Sequence, residues 1–224
     1  LFMQYGGYIS GVASLFIDCI IVPLMLFAIS SALPGTSPLA KAPPEGSLLG
    51  PEMVLGSIWT VLVGFTFLGI AEGVMEHSDW FVPFTTDAPL NDWRMRADSF
   101  EAALIVLFRF WLYVDIGVVY SYGALHRQSV IKNWRLMLLA TILFGVVTAL
   151  VFGPPSAFNC AFMVNCSSSA NIAAADSWIN SVLFYYEKIG GPWYGVVDSI
   201  EYPMSFKATI FALFITMSLI HHIG

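Results

Sequence analysis

Residues 10–32 read SGVASLFIDCIIVPLMLFAISSA, and the single formal charge in that stretch is Asp18. The hydrocarbon core of a bilayer demands roughly 20 apolar residues of helix, whereas a soluble helix of this length shows a polar face at intervals of three to four. The stretch therefore reads as a membrane span. Four more runs of the same character, near 52–75, 99–121, 135–152 and 205–223, make it the first of about five. The fold expected is all-α: a polytopic membrane helix bundle with one long lumenal loop carrying an interfacial helix.

The whole chain has the same bias, with 58% hydrophobic residues, 11% charged and a mean hydropathy of +0.76. A soluble domain carries about a quarter charged residues. With roughly half the chain committed to lipid, too little remains for a soluble catalytic domain of about 100 residues. A net charge of −6 leaves no basic surface, so nucleic acid is not an expected partner; the lipid bilayer and other membrane subunits are.

Outside the spans, the connector 33–51 carries Pro34, Pro38, Pro43, Pro44 and Pro51 and reads as an extended loop ending in a proline at the start of span two. Acidic residues and Trp80, Phe81 and Trp93 fill 76–98, as in a wet loop with an interfacial aromatic belt. A compact turn with His126, Arg127 and Lys132 joins spans three and four. The longest loop, 153–204, contains Ile179, Val182, Leu183 and Tyr186 at helical spacing, with Ser177 or Asp176 to cap a helix and Gly190 to stop it. That segment is either a helix lying on the membrane surface or a short core helix of the loop. With no repeat, no low-complexity tract and no second domain, 1–224 reads as one transmembrane domain. It opens at Leu1 with no recognisable signal peptide, which suits a processed chain or a fragment.

Basic residues do not settle sidedness, because Lys41, Arg127, Lys132 and Arg135 balance Arg94, Arg96, Lys188 and Lys207 across alternate loops. The dense basic turn favours 122–134 as cytoplasmic. Cys160 and Cys166, with five residues between them, are placed to close a disulfide, and Asn165-Cys166-Ser167 satisfies the N-x-S glycosylation rule. Both features put 153–204 on the lumenal side; two free cysteines in a reducing space are the alternative. Cys19, inside span one, reads as a small packing residue.

An ionisable side chain at mid-span costs about 2.5–3.5 kcal/mol on insertion scales, so Asp18, Arg109 and Asp115 are the candidate functional residues. Arg109 and Asp115 are separated by about 600° of helical rotation and do not share a face. Arg109 is expected to pair with Asp18 across the bundle, either as a structural ion pair holding helix register or as part of a substrate or ion path. Pro23 frees a backbone carbonyl about one turn earlier in span one, the local chemistry of transporter cation sites. Glu72 and Glu101 near span ends are expected to be wet, and His221 and His222 to sit at the interface.

No phosphate-cradling G-x-x-x-x-G-K-[ST], D-K-T-G, H-E-x-x-H or nucleophile elbow is present. Glu76, His77 and Asp79 form either a metal-touching cluster or ordinary solvated charge. No catalytic residue, metal or cofactor is expected in this chain.

The order of landmarks resembles the C-terminal membrane region of the type 5 P-type ATPases, most closely the B subgroup of polyamine and cation pumps. Leu15-Phe16-Ile17-Asp18 and Ile21-Val22-Pro23-Leu24 are similar to the family's L-F-I-D…I-T-P-L. Pro43-Pro44-Glu45-Gly46-Ser47-Leu48-Leu49-Gly50-Pro51, then Val54-Leu55, resembles R-P-x-x-S-L-L-S-P-x-V-L. Trp80-Phe81-Val82-Pro83, Phe100-Glu101, Ser121-Tyr122-Gly123 with Arg127 and Asn133, and Phe206-Lys207 follow in the family's order. The resemblance implies helices six to ten of that fold, cytoplasmic connectors at 33–51 and 122–134, and Asp18 as a substrate-path residue.

Departures accompany it. Gly11 stands where the family has an acidic path residue, Ala102 and Ala103 where it has Asn and Thr, and Leu125 and Ser129 where it has prolines. Arg109 would oppose a polycation near Asp18. The expected function is therefore a non-catalytic integral membrane subunit derived from the support helices of a P-type ATPase. The alternative is the transmembrane part of a working cation or polyamine pump acting with a separate ATPase portion. An independent channel or carrier fits less well, since five spans show no repeat symmetry.

Overall fold

The computed structural model describes residues 9–34, 50–84, 99–122, 128–167, 169–170 and 199–223. Five long helices lie on the five apolar runs: α1 (Gly11–Ser30), α2 (Pro51–Glu76), α3 (Phe100–Val119), α4 (Trp134–Phe152) and, after the short α5 (Ala157–Ala161), α6 (Met204–Ile223). Each is long and apolar enough to cross a membrane, as in a multi-pass membrane protein. Among the described residues there is no strand; Ser167 and Ser199 form an isolated bridge. The surface helix expected at 177–190, and the connector and loop residues at 35–49, 85–98 and 123–127, lie outside the described residues.

Local chemistry starts the helices where they start. The Ser10 hydroxyl oxygen accepts the Ala13 N–H and donates to the Ala161 carbonyl, so one serine caps α1 and ties it to α5. Pro51 opens α2 at a position whose N–H would have no partner in any case. Ser99 caps α3, and Asn133 caps α4. The Asn133 amide also donates to the Ala28 carbonyl at 2.8 Å, which joins the last turn of α1 to the first turn of α4.

Helix α3 is the axis of the bundle, with 72% of its spanning window buried against 28% for α1 and α2 and 33% for α4 and α6. It touches all four other long helices; α4 also packs on α1 and α6, and α6 on α2. Among the described residues, helices α1 and α2 do not pack closely on one another, so the ring of described helices around α3 is open between them. The part of α3 left half-exposed or exposed is a single stripe, Arg109, Leu112, Tyr113, Ile116 and Val119, continued by Tyr120 just past its end, at the spacing of one helix face. Its edges are marked by Leu112 and Tyr120 against Gly64 and Gly56 of α2, and by Gly117 against Met25 of α1. A Cβ on Gly117 would collide with the Met25 methyl, so the close approach of α1 and α3 needs glycine there or a moved methionine.

One end of the bundle is closed by a disulfide between Cys160 and Cys166. Beside it Asn165, fully buried at φ 46°, donates its amide to the Leu150 and Val151 carbonyls at 2.7 Å each, covering the end of α4. Its side-chain oxygen accepts the Tyr202 N–H at 3.1 Å. Asparagine tolerates this left-handed backbone better than most residues. The glycosylation reading of Asn165 is thereby corrected: the nitrogen a glycan would take is buried and holds two carbonyls. Cys19, expected as a packing residue, does not pack into this bundle, since it is exposed on the outside of α1.

Candidate functional site

Glu76 near the end of α2 and Arg135 at the start of α4 are exposed and Glu72 is half-buried; three further groups of ionisable side chains sit within the spans or at their ends. At the end of the bundle opposite the disulfide, Asp115 of α3 and His221 of α6 are both buried, with His221 Nδ1 2.5 Å from Asp115 Oδ2. His222 Nε2 is 3.7 Å from Asp115 Oδ1, and its ring lies edge-on to Tyr122. One turn away, the Trp111 indole donates to the Ser218 hydroxyl at 2.9 Å, a second polar link between the same two helices. The expectation that both histidines sit at the interface is corrected for His221: the last turn of α6 packs onto α3, and Asp115 supplies its partner there.

The second group lies at the disulfide end. Glu101, expected to be wet, is buried, because the chain leaving α2 folds back and the Phe84 N–H donates to Glu101 Oε1 at 3.1 Å. Around it Trp80, Phe100, Tyr202 and Phe206 pack ring to ring, with centroids 5.0–6.0 Å apart. The Tyr202 hydroxyl donates to the Phe100 carbonyl at 2.5 Å. Burial, with the Glu101 charge as a smaller influence, pushes the Tyr202 hydroxyl well above its ordinary value. Nearby, Lys207 is buried with its ammonium 3.3 Å from Glu201, beside a cavity of about 430 Å³ that Phe152, Pro154 and Met204 also line.

The third group is Asp18 with Arg109, and the structure does not join them. Asp18 is exposed on α1, inside a π-helical turn, Ile17–Ile21, that ends two residues before Pro23. The Val22 N–H donates back to Ile17, so the wider turn absorbs the register that the missing proline N–H disturbs. Arg109 lies on α3 in the opening between α1 and α2, its guanidinium 6.0 Å from the Tyr113 ring centre. Among the described residues neither side chain meets an oppositely charged group. Helical periodicity placed each charge on a face, but which face of α1 turns toward α3 depends on packing.

His77 donates to the Gly73 carbonyl at the end of α2, and among the described residues no three His, Cys, Asp or Glu side chains are placed to hold a metal ion. Glu101 Oε2, Asp115 Oδ1 and His221 Nε2 are buried without a hydrogen-bond partner among the described residues. Of the buried ionic residues, sequence reasoning singled out Asp115 but not its partner. The signal for His221 was available: a histidine in the last turn of the last span, on the same side of the membrane as Asp115. No protein-family model matches the chain, and no curated protein matches it.

Proposed function

We propose that this chain is a non-catalytic integral membrane subunit, built from the support helices of a P-type ATPase, with a structural role in a larger membrane complex. The observation that carries the reading is Asp18, an ionisable residue eight positions into a twenty-residue span and exposed on the outside of the bundle. A carboxylate at that depth does not face lipid without a partner, so α1 is read as a helix covered by others. Low burial of α1 and α2 agrees, as does the outer face of α2, where Gly69 and Gly73 have open space that a neighbouring helix backbone fits. The sidedness goes with the reading: the disulfide end lumenal, the Val130–Lys132 turn cytoplasmic.

The alternative is the membrane part of a working cation or polyamine pump whose ATPase portion is separate. The π turn at Asp18 beside Pro23 favours it, because an irregular backbone next to a carboxylate is the form transporter cation sites take. Extraction of the native protein into polymer nanodiscs, followed by mass spectrometry, tests both. Stoichiometric membrane partners without a phosphorylation motif support the structural subunit. A one-to-one partner bearing D-K-T-G moves the assignment to the pump, and a chain recovered alone as a monomer defeats both.

A further inference from the structure

Arg109 is the tenth of the twenty residues of α3, about 14 Å along the helix from its start at a rise of 1.5 Å per residue. That is the middle of the bilayer, beyond the reach of the snorkelling available to arginines near helix ends. Its contact with the Tyr113 ring, at 6.0 Å, is worth about 0.5–2 kcal/mol, less than the roughly 2.5–3.5 kcal/mol that inserting an arginine costs. The acids of the described spans do not bridge to it. Asp115 is turned to His221 and His222, Glu101 is held by the Phe84 N–H, Glu72 of α2 has Glu76 and Glu101 rather than Arg109 as its charged neighbours in the spans, and Asp18 is not bridged to Arg109. Arg109 is also the first residue of the half-exposed stripe that floors the opening between α1 and α2, and the deepest in the bilayer.

We propose that the opening between α1 and α2 receives one further transmembrane helix that carries a carboxylate at the depth of Arg109. The inference rests on the reading of the chain as part of a larger assembly and adds the chemistry of the contact. A lipid phosphate lies at the interface, half a bilayer away from this guanidinium, whereas a carboxylate on a helix reaches it directly. Only a helix or a closed barrel satisfies its own backbone at that depth, and an elongated opening between two helices fits a helix. The guanidinium fork binds a carboxylate through two parallel hydrogen bonds, which sets the rotation and depth of the incoming helix as well as its affinity.

The test uses the full chain, fluorescently labelled and reconstituted in phosphatidylcholine vesicles at mildly alkaline pH. The probes are synthetic Leu/Ala helices of about 23 residues carrying Glu, Leu or Lys at the centre. Energy transfer is expected to show the Glu-centred helix bound about tenfold more tightly than the Leu-centred one. Arg109→Leu, which needs no buried charge to fold, is expected to erase that difference, and Arg109→Glu to shift the preference to the Lys-centred helix. Equal binding of the Glu- and Leu-centred helices to the unaltered chain, or a preference that survives Arg109→Leu, overturns the proposal. So does energy transfer between two copies of the chain that Asp18→Asn abolishes, which would make a second copy the occupant. If the native complex co-purifies while the peptide preference is absent, this contact fails and the assembly reading stands. A peptide preference in a chain recovered alone as a monomer from native membranes fails the assembly reading instead.

Discussion

The imidazole of His221 and the carboxylate of Asp115 meet at 2.5 Å in a fully buried contact that fastens the last turn of α6 to α3. Asp115 is six residues from Arg109 on the same helix, yet the two face different neighbours: Asp115 turns to α6, and Arg109 to the opening between α1 and α2. A buried ionisable pair contributes little net stability compared with an apolar one, but removing one member leaves the other unsatisfied in a medium that does not solvate it.

Replacing His221 with Leu is therefore expected to cost about 3–5 kcal/mol, because Asp115 keeps only His222 at 3.7 Å. Asp115→Asn in the same background should return part of the loss. The His222 side chain is 28% exposed and its contact longer, so His222→Leu should cost less than about 1 kcal/mol. Denaturation in mixed micelles measures all three, and equal losses from the two histidine variants would contradict the ranking.

At the other end, Tyr202 predicts sensitivity to alkali. Its hydroxyl is held protonated well above the ordinary value of 10.0 by burial and by the Glu101 charge. A group whose folded value is raised binds its proton more tightly when folded, so its contribution is complete below the unfolded value. Stability should fall as pH rises from about 10 toward the folded value, while the unfolded chain ionises first. Tyr202→Phe loses the hydrogen bond to the Phe100 carbonyl, about 1 kcal/mol at neutral pH, but should flatten the alkaline decline. A decline of the same steepness in both proteins would assign it to other groups.

The spans were legible because each is an apolar run longer than a soluble core helix needs. The disulfide pairing was visible as one of two readings of a close cysteine pair. Helix order around α3 was not legible, since periodicity assigns a residue to a face without saying which neighbour that face meets. For that reason Asp18 and Arg109, each correctly placed mid-span, were expected to pair and do not. Glu101 and His221 were misjudged by their nearness to span ends. Their burial comes from a returning loop N–H in one case and from the packing of α6 in the other. Asn133 stands out in the sequence only within a family-like turn, although its side chain caps one helix while holding the end of another.

The three cysteines give a prediction that separates them by environment. Cys160 and Cys166 are bonded, and Cys19 is exposed on the outer face of α1. Under non-reducing denaturation the chain should take up one maleimide, and after reduction three. Cys160→Ser with Cys166→Ser should cost about 2 kcal/mol, the loop-closure value for so short a ring. Three labels without reductant would refute the bonded state and remove the support it gives to a lumenal assignment.

Asn165 supplies the sharpest contrast between two readings of one tripeptide. As a glycan acceptor it would be dispensable for folding, and Asn165→Gln would simply lose a mass increment. As the structure has it, the amide closes the end of α4 on two carbonyls, the oxygen holds the Tyr202 N–H, and the backbone sits at φ 46°. Glutamine keeps the functional groups but carries them one methylene farther and is less at ease in the left-handed region. Asn165→Gln should therefore destabilise the chain by about 1–3 kcal/mol, and Asn165→Ala by more, since alanine takes the side-chain partner from the Val151 carbonyl and the Tyr202 N–H, while the Leu150 carbonyl keeps only the Asn159 amide. Endoglycosidase treatment of chain made in a secretory system should leave its mobility unchanged. A mobility shift, together with full stability of Asn165→Gln, would mean that this residue faces water and that the cap on α4 does not form.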